Sequence, residues 1–255
     1  LGEHDLFKSK EKILGVVWDG TGFGDDQAIW GGEFFNYEKH KMKRLSHFEY
    51  VDWIAADRMA IEPRLALLSI LPCSKRELAK SKFSETEWKV YNRMLEINSL
   101  KTSSVGRLFD AVASLLDIID KTSYEGEAAM LLENQARNYD GNDYIDFLED
   151  LAFERIPSKT LIANIQKAKE EGISKFRNAN SFIHTLALVI LKIAKQNDYE
   201  TIACSGGVFQ NSLLVTKLSQ LSQKQGIKLK FNRILSSNDE NISFGQLCYY
   251  QYIKI

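Results

Sequence analysis

The sequence predicts a helix-rich α/β fold, and three observations support that prediction. Short apolar runs typical of strands lie within residues 13–50 and again within residues 200–231. Between these two stretches, the apolar residues recur at the 3.6-residue period of amphipathic helices. The 255 residues include only three prolines, and a chain with so few helix breakers accommodates many helices.

The first predicted unit is a strand, a glycine-rich turn and a second strand. Residues 13–18, ILGVVW, form a short apolar run that we expect to stop at DGTGFGDD, residues 19–26. Residues 27–37 then alternate apolar and small residues as a second strand would, and residues 42–50 could form a third.

Helices are predicted for most of the middle of the chain. One helix start is especially clear, because Ser84 is followed three residues later by Glu87, which is the pattern of a capping box. The predicted helices span residues 57–70, 84–97, 105–119, 125–138, 143–153, 158–171 and 173–196.

The end of the chain alternates strands and helices. Residues 200–204 and 227–231 are apolar runs of strand length, and helices are predicted at residues 208–223 and 241–254. This alternation implies a parallel sheet, in which ligands lie near the carboxyl ends of the strands.

Composition argues against several classes of protein. The 33 Lys and Arg residues nearly balance the 34 Asp and Glu residues, so a nucleic-acid partner held by bulk charge is disfavoured. No apolar run approaches the roughly 18 residues that a membrane-spanning helix needs. Cys73, Cys204 and Cys248 are odd in number and far apart, which indicates unpaired thiols in a reducing compartment. We therefore expect a cytoplasmic protein that does not interact with a membrane.

Two glycine-rich turns could carry chemistry. In the first, Asp19 at the strand end could bind a hard cation, and the neighbouring glycines let main-chain N–H groups approach an anion. On these residues alone, a plain hairpin turn at Asp-Gly is the favoured interpretation. The second turn, SGG at residues 205–207, precedes a helix whose first N–H groups would face a bound anion, and Asn211 could reach a ribose or base. A turn needed only for tight packing explains this second pair of glycines equally well.

Other candidate residues also have simpler interpretations. Asp239 could be a second carboxylate for a cation, although a helix N-cap is favoured. Gly106, Asp110, Gly126 and Glu127 lie at two helix starts, where capping and solvated charge explain them. Neither a Walker motif nor a GxGxxG fingerprint is present.

Taken together, two glycine-rich turns after two distant strands resemble the way the actin, sugar-kinase and chaperone ATPase architecture holds a nucleotide between two lobes. We therefore predict three parts. Residues 1–56 would be the remainder of a first lobe, and residues 57–198 a helical insertion with second-lobe helices. Residues 199–255 would be an α/β nucleotide-binding part, and the first hairpin of the first lobe would lie upstream of Leu1.

Five motifs extend this prediction to one family. The chain resembles HypF, the carbamoyltransferases that mature nickel–iron hydrogenases, over almost its whole length but only in the C-terminal part of that multidomain family. The motifs, in the family's order, are GVVWDGTGFGDDQAIWGGEFF (15–35), SSVGRLFDAVASLL (103–116), SYEGEAAMLLE (123–133), SGGVFQNSLL (205–214) and SNDENISFGQ (237–246).

The resemblance implies an activity, cofactors and a partner. A HypF-like module would move a carbamoyl group from carbamoyl adenylate, made from ATP, to the C-terminal cysteine of HypE, for synthesis of the cyanide ligands. A divalent metal (iron, zinc or magnesium) would assist. Adenine nucleotide and a HypE-like acceptor are thus the expected partners, and nucleic acid is not expected.

The resemblance also implies which residues form the site. Asp19 and Asp239 match the positions that hold the metal, and we expect them to be the catalytic residues. The residues that match nucleotide-contacting positions are Gly20, Thr21, Gly22, Gly106, Asp110, Gly126, Glu127, Gly206, Gly207 and Asn211.

Some positions depart from the family pattern. The family's histidine-rich metal motif would lie upstream of Leu1, and His4 is not its counterpart. A proline-glycine-glycine-aspartate block is reduced to WIAAD at residues 53–57, and NDGG is replaced by NDEN at residues 238–241. These departures predict an incomplete site, which on its own binds nucleotide weakly and does not complete the transfer.

Two alternatives remain. The chain could be a binding module that keeps the fold and docks a partner without turnover, which the WIAAD and NDEN changes favour. It could also be a relative of the transferases that modify tRNA with threonylcarbamoyl, although its near-neutral charge offers no obvious tRNA surface.

Overall fold

The computed structural model describes residues 1–149 and 154–253. Within these residues the chain forms a mixed seven-stranded sheet with helices packed around it. The strands are β1 (Ile13–Phe23), β2 (Ile29–Glu38), β3 (Lys41–His47), β4 (Val51–Asp52), β5 (Lys101–Thr102), β6 (Thr201–Ser205) and β7 (Lys228–Lys230).

Strand β1 connects the two ends of the chain. It pairs antiparallel with β2 on one side and parallel with β6 on the other, where Ile13 lies opposite Thr201 and Val17 opposite Ser205. Strand β6 continues in parallel to β7, so the parallel pairing predicted for the end of the chain is confirmed. The glycine-rich segment in the second half of β1 and the glycine-rich turn after β6 therefore lie on neighbouring strands of one sheet.

Helices account for most of the remaining chain. No helix among the described residues is long and apolar enough to cross a membrane. The α-helices are α1 (Arg58–Ile61), α2 (Pro63–Ile70), α3 (Glu85–Ile97), α4 (Val105–Leu115), α5 (Glu127–Arg137), α6 (Ser158–Glu170), α7 (Lys175–Gln196), α8 (Ser212–Gln225) and α9 (Ile242–Tyr252).

The longer helices α4 and α7 are largely buried, and the short helix α2 is buried at every residue. Helix α4 packs against α2 and β1, and α7 packs against α5, α6 and α8, so few of their side chains reach solvent. This placement explains why even polar residues of α7, such as Ser181 and Thr185, are fully buried.

An aromatic cluster lies under the end of β1. The fully buried Trp18 ring stacks on Phe209 at 5.6 Å between centroids and meets Phe34 and Phe48 edge-on at 5.7 and 5.5 Å. Such aromatic pairs contribute about 0.5–1.5 kcal/mol each beyond the area they bury. This packing fixes the main chain at Trp18 and therefore restricts the position of the next residue, Asp19.

Local start signals were predicted well. The Ser84 hydroxyl accepts the Glu87 N–H at 3.3 Å and the Glu87 carboxylate accepts the Ser84 N–H at 2.9 Å, which confirms the capping box. The helix predicted over residues 57–70 is divided in two, because Pro63 starts a new helix and has no N–H to continue the old one.

The helix predicted over residues 143–153 is wrong for residues 143–149, and residues 150–153 lie outside the described part of the chain. The Ile145 N–H donates to the Ser181 hydroxyl at 3.1 Å, and the Phe147 N–H donates to the Thr185 hydroxyl at 3.1 Å. In a helix, main-chain N–H groups donate to carbonyls of the same helix. Here they donate to hydroxyl groups of α7 instead, so the segment is irregular and runs along α7.

The end predicted for β1 is also wrong. The strand continues through DGTGF to Phe23, which lies opposite Ile29 of β2. The chain turns instead at residues 24–28, where the Gly24 N–H donates to the Ala28 carbonyl at 3.0 Å. Glycines allow a turn but do not require one, and pairing with β2 keeps these residues extended.

The WIAAD segment keeps an unusual backbone. Ala55 and Ala56 have φ angles of 59° and 49°, in the left-handed region that favours glycine. Because alanine carries a Cβ that is unfavourable in this region, each of the two residues costs about 1 kcal/mol or more.

Candidate functional site

A cavity of about 440 Å³ lies beside Asp19 and Gly20 of β1 and the turn that follows β6. Helix α4, the start of α5 and the segment before α9 form its walls. The sequence-predicted residues that line it are Asp19, Gly20, Gly106, Asp110, Gly126, Gly207, Asn211 and Asp239. The structure thus brings together eight positions drawn from five separate motifs.

A β-bulge shapes the β1 side of the cavity. Residues 19–21 lie opposite one residue of β2, Gly31, so β1 bends outward there. The Asp19 Oδ1 accepts the Gly20 N–H at 2.7 Å. A Cβ on Gly106 of α4 would lie 2.9 Å from the Gly20 Cα, so the helix reaches the bulge only because Gly106 lacks a side chain.

The β6 side is shaped by two glycines. Gly206 has a φ of 103°, and a Cβ there would lie 2.1 Å from the Trp18 carbonyl oxygen. Its N–H donates to the Ser237 carbonyl at 2.8 Å. A Cβ on Gly207 would lie 3.1 Å from the Asp19 Oδ1, so the two loops meet at the Asp19 carboxylate.

Asn211 lines the cavity and also begins α8. Its Oδ1 accepts the Leu214 N–H at 2.9 Å, as an N-cap does. Between Gly207 and Asn211 the chain makes a short 3-10 turn, so α8 starts later than the predicted residue 208.

Asp19 lies in an environment that disfavours its charge. Burial raises the pKa of the Asp19 carboxyl above its usual range, and repulsion from Asp239 and Glu125 raises it further. Hydrogen bonds from the N–H groups of Gly20 and Gly207 oppose that rise. A cation bound here would relieve the repulsion.

The structure decides whether Asp239 caps the turn in which it lies. The N-cap of its 3-10 turn is Asn238, whose side chain accepts the Glu240 N–H at 3.2 Å. The capping interpretation of Asp239 is therefore wrong, and Asp239 lines the cavity with Asp19.

Asp110 and Arg107 form a buried pair in the α4 wall. The Arg107 Nε lies 2.7 Å from the Asp110 Oδ2, so the two side chains form an ion pair. The N–H of Arg107 does not point at this oxygen closely enough for a hydrogen bond. Burial raises the pKa of Asp110 from 3.8 to about 6, although Arg107 opposes that rise. Arg107 was not predicted from the sequence. Its position three residues before Asp110, on the same face of the helix, could have indicated the pair.

The cavity is strongly acidic. Arg107 is the one cationic side chain among the described residues that line it. The carboxylates that line it are those of Asp19, Asp110, Glu125, Glu133, Asp239 and Glu240. An anionic ligand would therefore need a cation beside it, because the side chains alone repel it.

The donor set favours a hard cation. No group of three or more His, Cys, Asp or Glu side chains in residues 1–149 and 154–253 is arranged to hold a metal ion. Asp19 and Asp239 would supply two carboxylates, and Mg²⁺ commonly takes one or two from a protein when phosphate and water complete its coordination. The residues fit such an ion better than one that requires imidazole or thiolate ligands.

Four predicted positions lie away from the cavity lining. Thr21 and Gly22 are exposed on the outer part of β1, and Gly206 lies behind Gly207 against Trp18. Glu127 instead binds the Ser123 N–H and hydroxyl next to its own helix, at 2.5 and 2.9 Å. Glu125, two residues earlier, lines the cavity and was not predicted.

Two neighbouring parallel strands, β1 and β6, bring glycine-rich segments to one acidic cavity, and helices surround the sheet. These features define an α/β protein of the ATPase type. Residues 15–246 match the family model described as "Carbamoyltransferase, Kae1-like Domain, second subdomain", so the chain belongs to the HypF carbamoyltransferase family. The resemblance inferred from the motifs is thereby confirmed.

Relatives agree with this assignment. The chain is 29% identical over 275 residues to the carbamoyltransferase HypF of Synechocystis, which covers 97% of this chain and 35% of that protein. It is 27% identical over 176 residues, 64% of this chain and 50% of the relative, to a tRNA N6-adenosine threonylcarbamoyltransferase of Clostridium perfringens.

Solved structures confirm the fold class. A full-length HypF in a phosphate- and nucleotide-bound form superposes with a TM-score of 0.81 at 26% identity, over 95% of this chain and 33% of that one. The chain thus spans about a third of the length of the HypF proteins it matches.

Proposed function

We propose that this chain is the carbamoyl-transfer module of a HypF-like protein. It would bind carbamoyl adenylate in the cavity and pass the carbamoyl group to the C-terminal cysteine of a HypE-like acceptor, for synthesis of the cyanide ligands in hydrogenase maturation. The observation that carries the proposal is the convergence of Asp19, Gly20, Gly207 and Asp239 on one cavity.

The main chain and side chains of the cavity have distinct roles in this proposal. The main chain at Gly20 and Gly207 would face the phosphate of an adenylate, once their N–H groups turn from the Asp19 carboxylate that they bind here. Gly126 and Asn211, which also line the cavity, would contact the nucleoside. The HypF structure in a phosphate- and nucleotide-bound form supports a nucleotide as the ligand.

Asp19 and Asp239 would hold a divalent cation. That ion would supply the positive charge that the acidic cavity lacks and would polarise the carbamoyl carbonyl. The raised pKa of Asp19 supports this role, because a carboxylate in a repulsive environment gains most from a cation.

The transfer would exchange one bond for another at the carbamoyl carbon. The sulfur of the acceptor cysteine, as a thiolate, forms a bond to that carbon, and the bond from the carbon to the phosphate oxygen breaks. AMP leaves with the electron pair of the broken bond. The cavity walls would orient the adenylate so that its carbamoyl group faces the incoming cysteine.

Asp19→Asn in the complete gene product tests the proposal, and the wild-type complete gene product is the reference. We expect the substitution to reduce carbamoyl transfer from supplied carbamoyl adenylate to the acceptor by about a hundredfold or more, because a cation ligand is lost. Near neutral pH the unfolding free energy should stay equal or rise, because the raised pKa means that the charged carboxylate disfavours the fold there. The measurements are a single-turnover transfer assay and denaturant unfolding.

Asp25→Asn is the matched control, since Asp25 is an exposed carboxylate on the same hairpin. It should leave transfer unchanged. Wild-type rates from Asp19→Asn would contradict the proposal. Binding of nucleotide and acceptor by the wild-type protein without any turnover would instead support the binding-module alternative.

The similarity to a tRNA-modifying enzyme supports a second candidate acceptor. Transfer of a threonylcarbamoyl group to tRNA, with none to the HypE-like protein, would favour it. The near-equal numbers of basic and acidic residues make this outcome less expected.

A further inference from the structure

Glu33 of β2 is a carboxylate buried behind the cavity, with only 2% of its surface exposed. Its Oε2 accepts the N–H groups of Gly31 and Gly32 at 2.6 and 2.7 Å, and its Oε1 accepts the Ser103 hydroxyl. A buried carboxylate is costly unless it is hydrogen-bonded, and here the bonds come from two separate segments of the chain.

The glycines that Glu33 binds lie opposite the bulge that carries Asp19. Gly31 has no partner in the register between β1 and β2, and a Cβ on it would lie 2.6 Å from the Asp19 carbonyl oxygen. The two main chains therefore touch at this point. By accepting the Gly31 N–H, the Glu33 carboxylate stabilises the β2 side of the bulge.

A second connection runs through the start of α4. Ser103 donates to Glu33, and the next residue, Ser104, donates its hydroxyl to the Asp19 carbonyl at 2.9 Å. The same Ser104 hydroxyl accepts the Arg107 N–H at 3.1 Å and caps α4. Glu33 is thus linked both to Asp19 and to the helix that carries the cavity's buried ion pair.

The chemistry of the contacts requires a carboxylate at this position. The fourth contact is Arg44, whose Nη2 lies 3.4 Å from the Glu33 Oε1. The Arg44 guanidinium is itself fixed, 4.1 Å from the Trp30 ring centroid and paired with Asp26 at 2.9 Å. The Gly31 and Gly32 N–H groups on Oε2 and the Arg44 guanidinium on Oε1 can only donate, so a glutamine would place its NH₂ group against a donor in either orientation. Of these contacts in the described structure, the Ser103 hydroxyl is the one that could also accept a hydrogen bond.

We propose that Glu33 is a positioning residue for Asp19. It holds the bulge and the start of α4 in register, so that the Asp19 carboxylate stays directed into the cavity. This inference rests on the proposed role of Asp19 in carbamoyl transfer.

Glu33→Gln in the complete gene product tests the inference. We expect kcat for transfer from carbamoyl adenylate to fall by about tenfold to a hundredfold, the usual penalty for misplacing a reacting group. The KM should change by less than about threefold, because the β6 loop is unaffected. Amide hydrogen exchange in residues 19–22 and 104–107 should accelerate by about tenfold or more.

Tyr37→Phe is the matched control. Tyr37 is on the same strand and buried, and its hydroxyl donates to the Phe7 carbonyl at 2.7 Å, far from the bulge. It removes one buried hydrogen bond and should leave kcat and the exchange of residues 19–22 unchanged. If the two variants behave alike, Glu33 has only a structural role and the inference is wrong.

The exchange measurement separates this inference from the proposed function. Unchanged exchange around Asp19 in Glu33→Gln overturns the positioning role, even if Asp19→Asn is inactive. If Asp19→Asn retains wild-type transfer, the proposed function of Asp19 fails. Faster exchange in Glu33→Gln would then still support the positioning of the bulge.

Discussion

The two glycine-rich loops of the cavity are held in place by different means. The loop of β1 is held by side chains, since Ser104 binds the Asp19 carbonyl and Glu33 binds the strand opposite. The loop after β6 is held by main chain, through the positive φ of Gly206 and its N–H bond to the Ser237 carbonyl. Side-chain contacts can be changed gradually by substitution, whereas the β6 loop requires glycine itself.

The largest effect is expected at the main-chain loop. Gly206→Ala combines a left-handed φ with a Cβ that would lie 2.1 Å from the Trp18 carbonyl oxygen. We expect the unfolding free energy to fall by about 3 kcal/mol or more, measured by denaturant unfolding.

The control for this prediction is Gly226→Ala at the end of α8. Gly226 also has a positive φ, 70°, but a Cβ there would meet nothing within 4 Å. It should therefore cost only about 1 kcal/mol. Equal losses at the two glycines would show that φ alone matters and that the contact with Trp18 does not.

An intermediate effect on the unfolding free energy is expected from Asp110 of helix α4, which packs behind the β1 loop. Because the pKa of Asp110 is raised to about 6, the folded protein keeps this proton at pH values where the unfolded chain has released it. The contribution of Asp110 to stability is therefore fully present below pH 4 and is lost as the pH rises through 6. We expect the unfolding free energy of wild type minus that of Asp110→Asn to fall by about 2 kcal/mol between pH 4 and 7.5.

The measurement is denaturant unfolding at a series of pH values, with Asp25→Asn as an exposed control. A difference that rises with pH would mean that Arg107 dominates over burial at this site. The α4 wall would then favour a charged Asp110.

The smallest effect compares the caps of the helices that follow the two loops. Ser104→Ala and Asn211→Ala should each lower the unfolding free energy by about 1 kcal/mol, as loss of an N-cap does. Ser104→Ala should cost more, because its hydroxyl also binds the Asp19 carbonyl. Ser174→Ala, which removes the cap of α7, provides the reference value.

This comparison uses equilibrium unfolding of the three variants in parallel. If Ser104→Ala costs no more than Ser174→Ala, the bond to Asp19 adds nothing to stability. The β1 loop would then depend less on side chains than its contacts suggest.

Local patterns made much of the fold predictable. The capping box at Ser84 and Glu87 depends on residues three apart, so the sequence contained everything needed to find it. The irregular segment at residues 143–149 could not be found in this way, because its main-chain donors bind Ser181 and Thr185 more than thirty residues later.

The same distinction applies to the site. Asp19 and Asp239 were found because each lies in a glycine-rich or turn-forming motif that carries a family signature. Glu33 acts through contacts with Ser103 and Arg44 of other segments, and no local pattern indicates such contacts. Arg107, by contrast, lies three residues before Asp110 on one helix, so its pairing was within reach of the sequence. The placement of both loops on one sheet likewise depends on pairing between β1 and β6.

That pairing has a consequence for how the protein is made. Ile13 and Thr201 are neighbours in the sheet but about 190 residues apart in the chain, and contacts of such long range slow folding. During synthesis on the ribosome, the edge of β1 that pairs with β6 stays uncovered until β6 has emerged. During that interval the uncovered edge of β1 can pair with other chains, so we expect aggregation during synthesis to increase when β6 is removed or delayed.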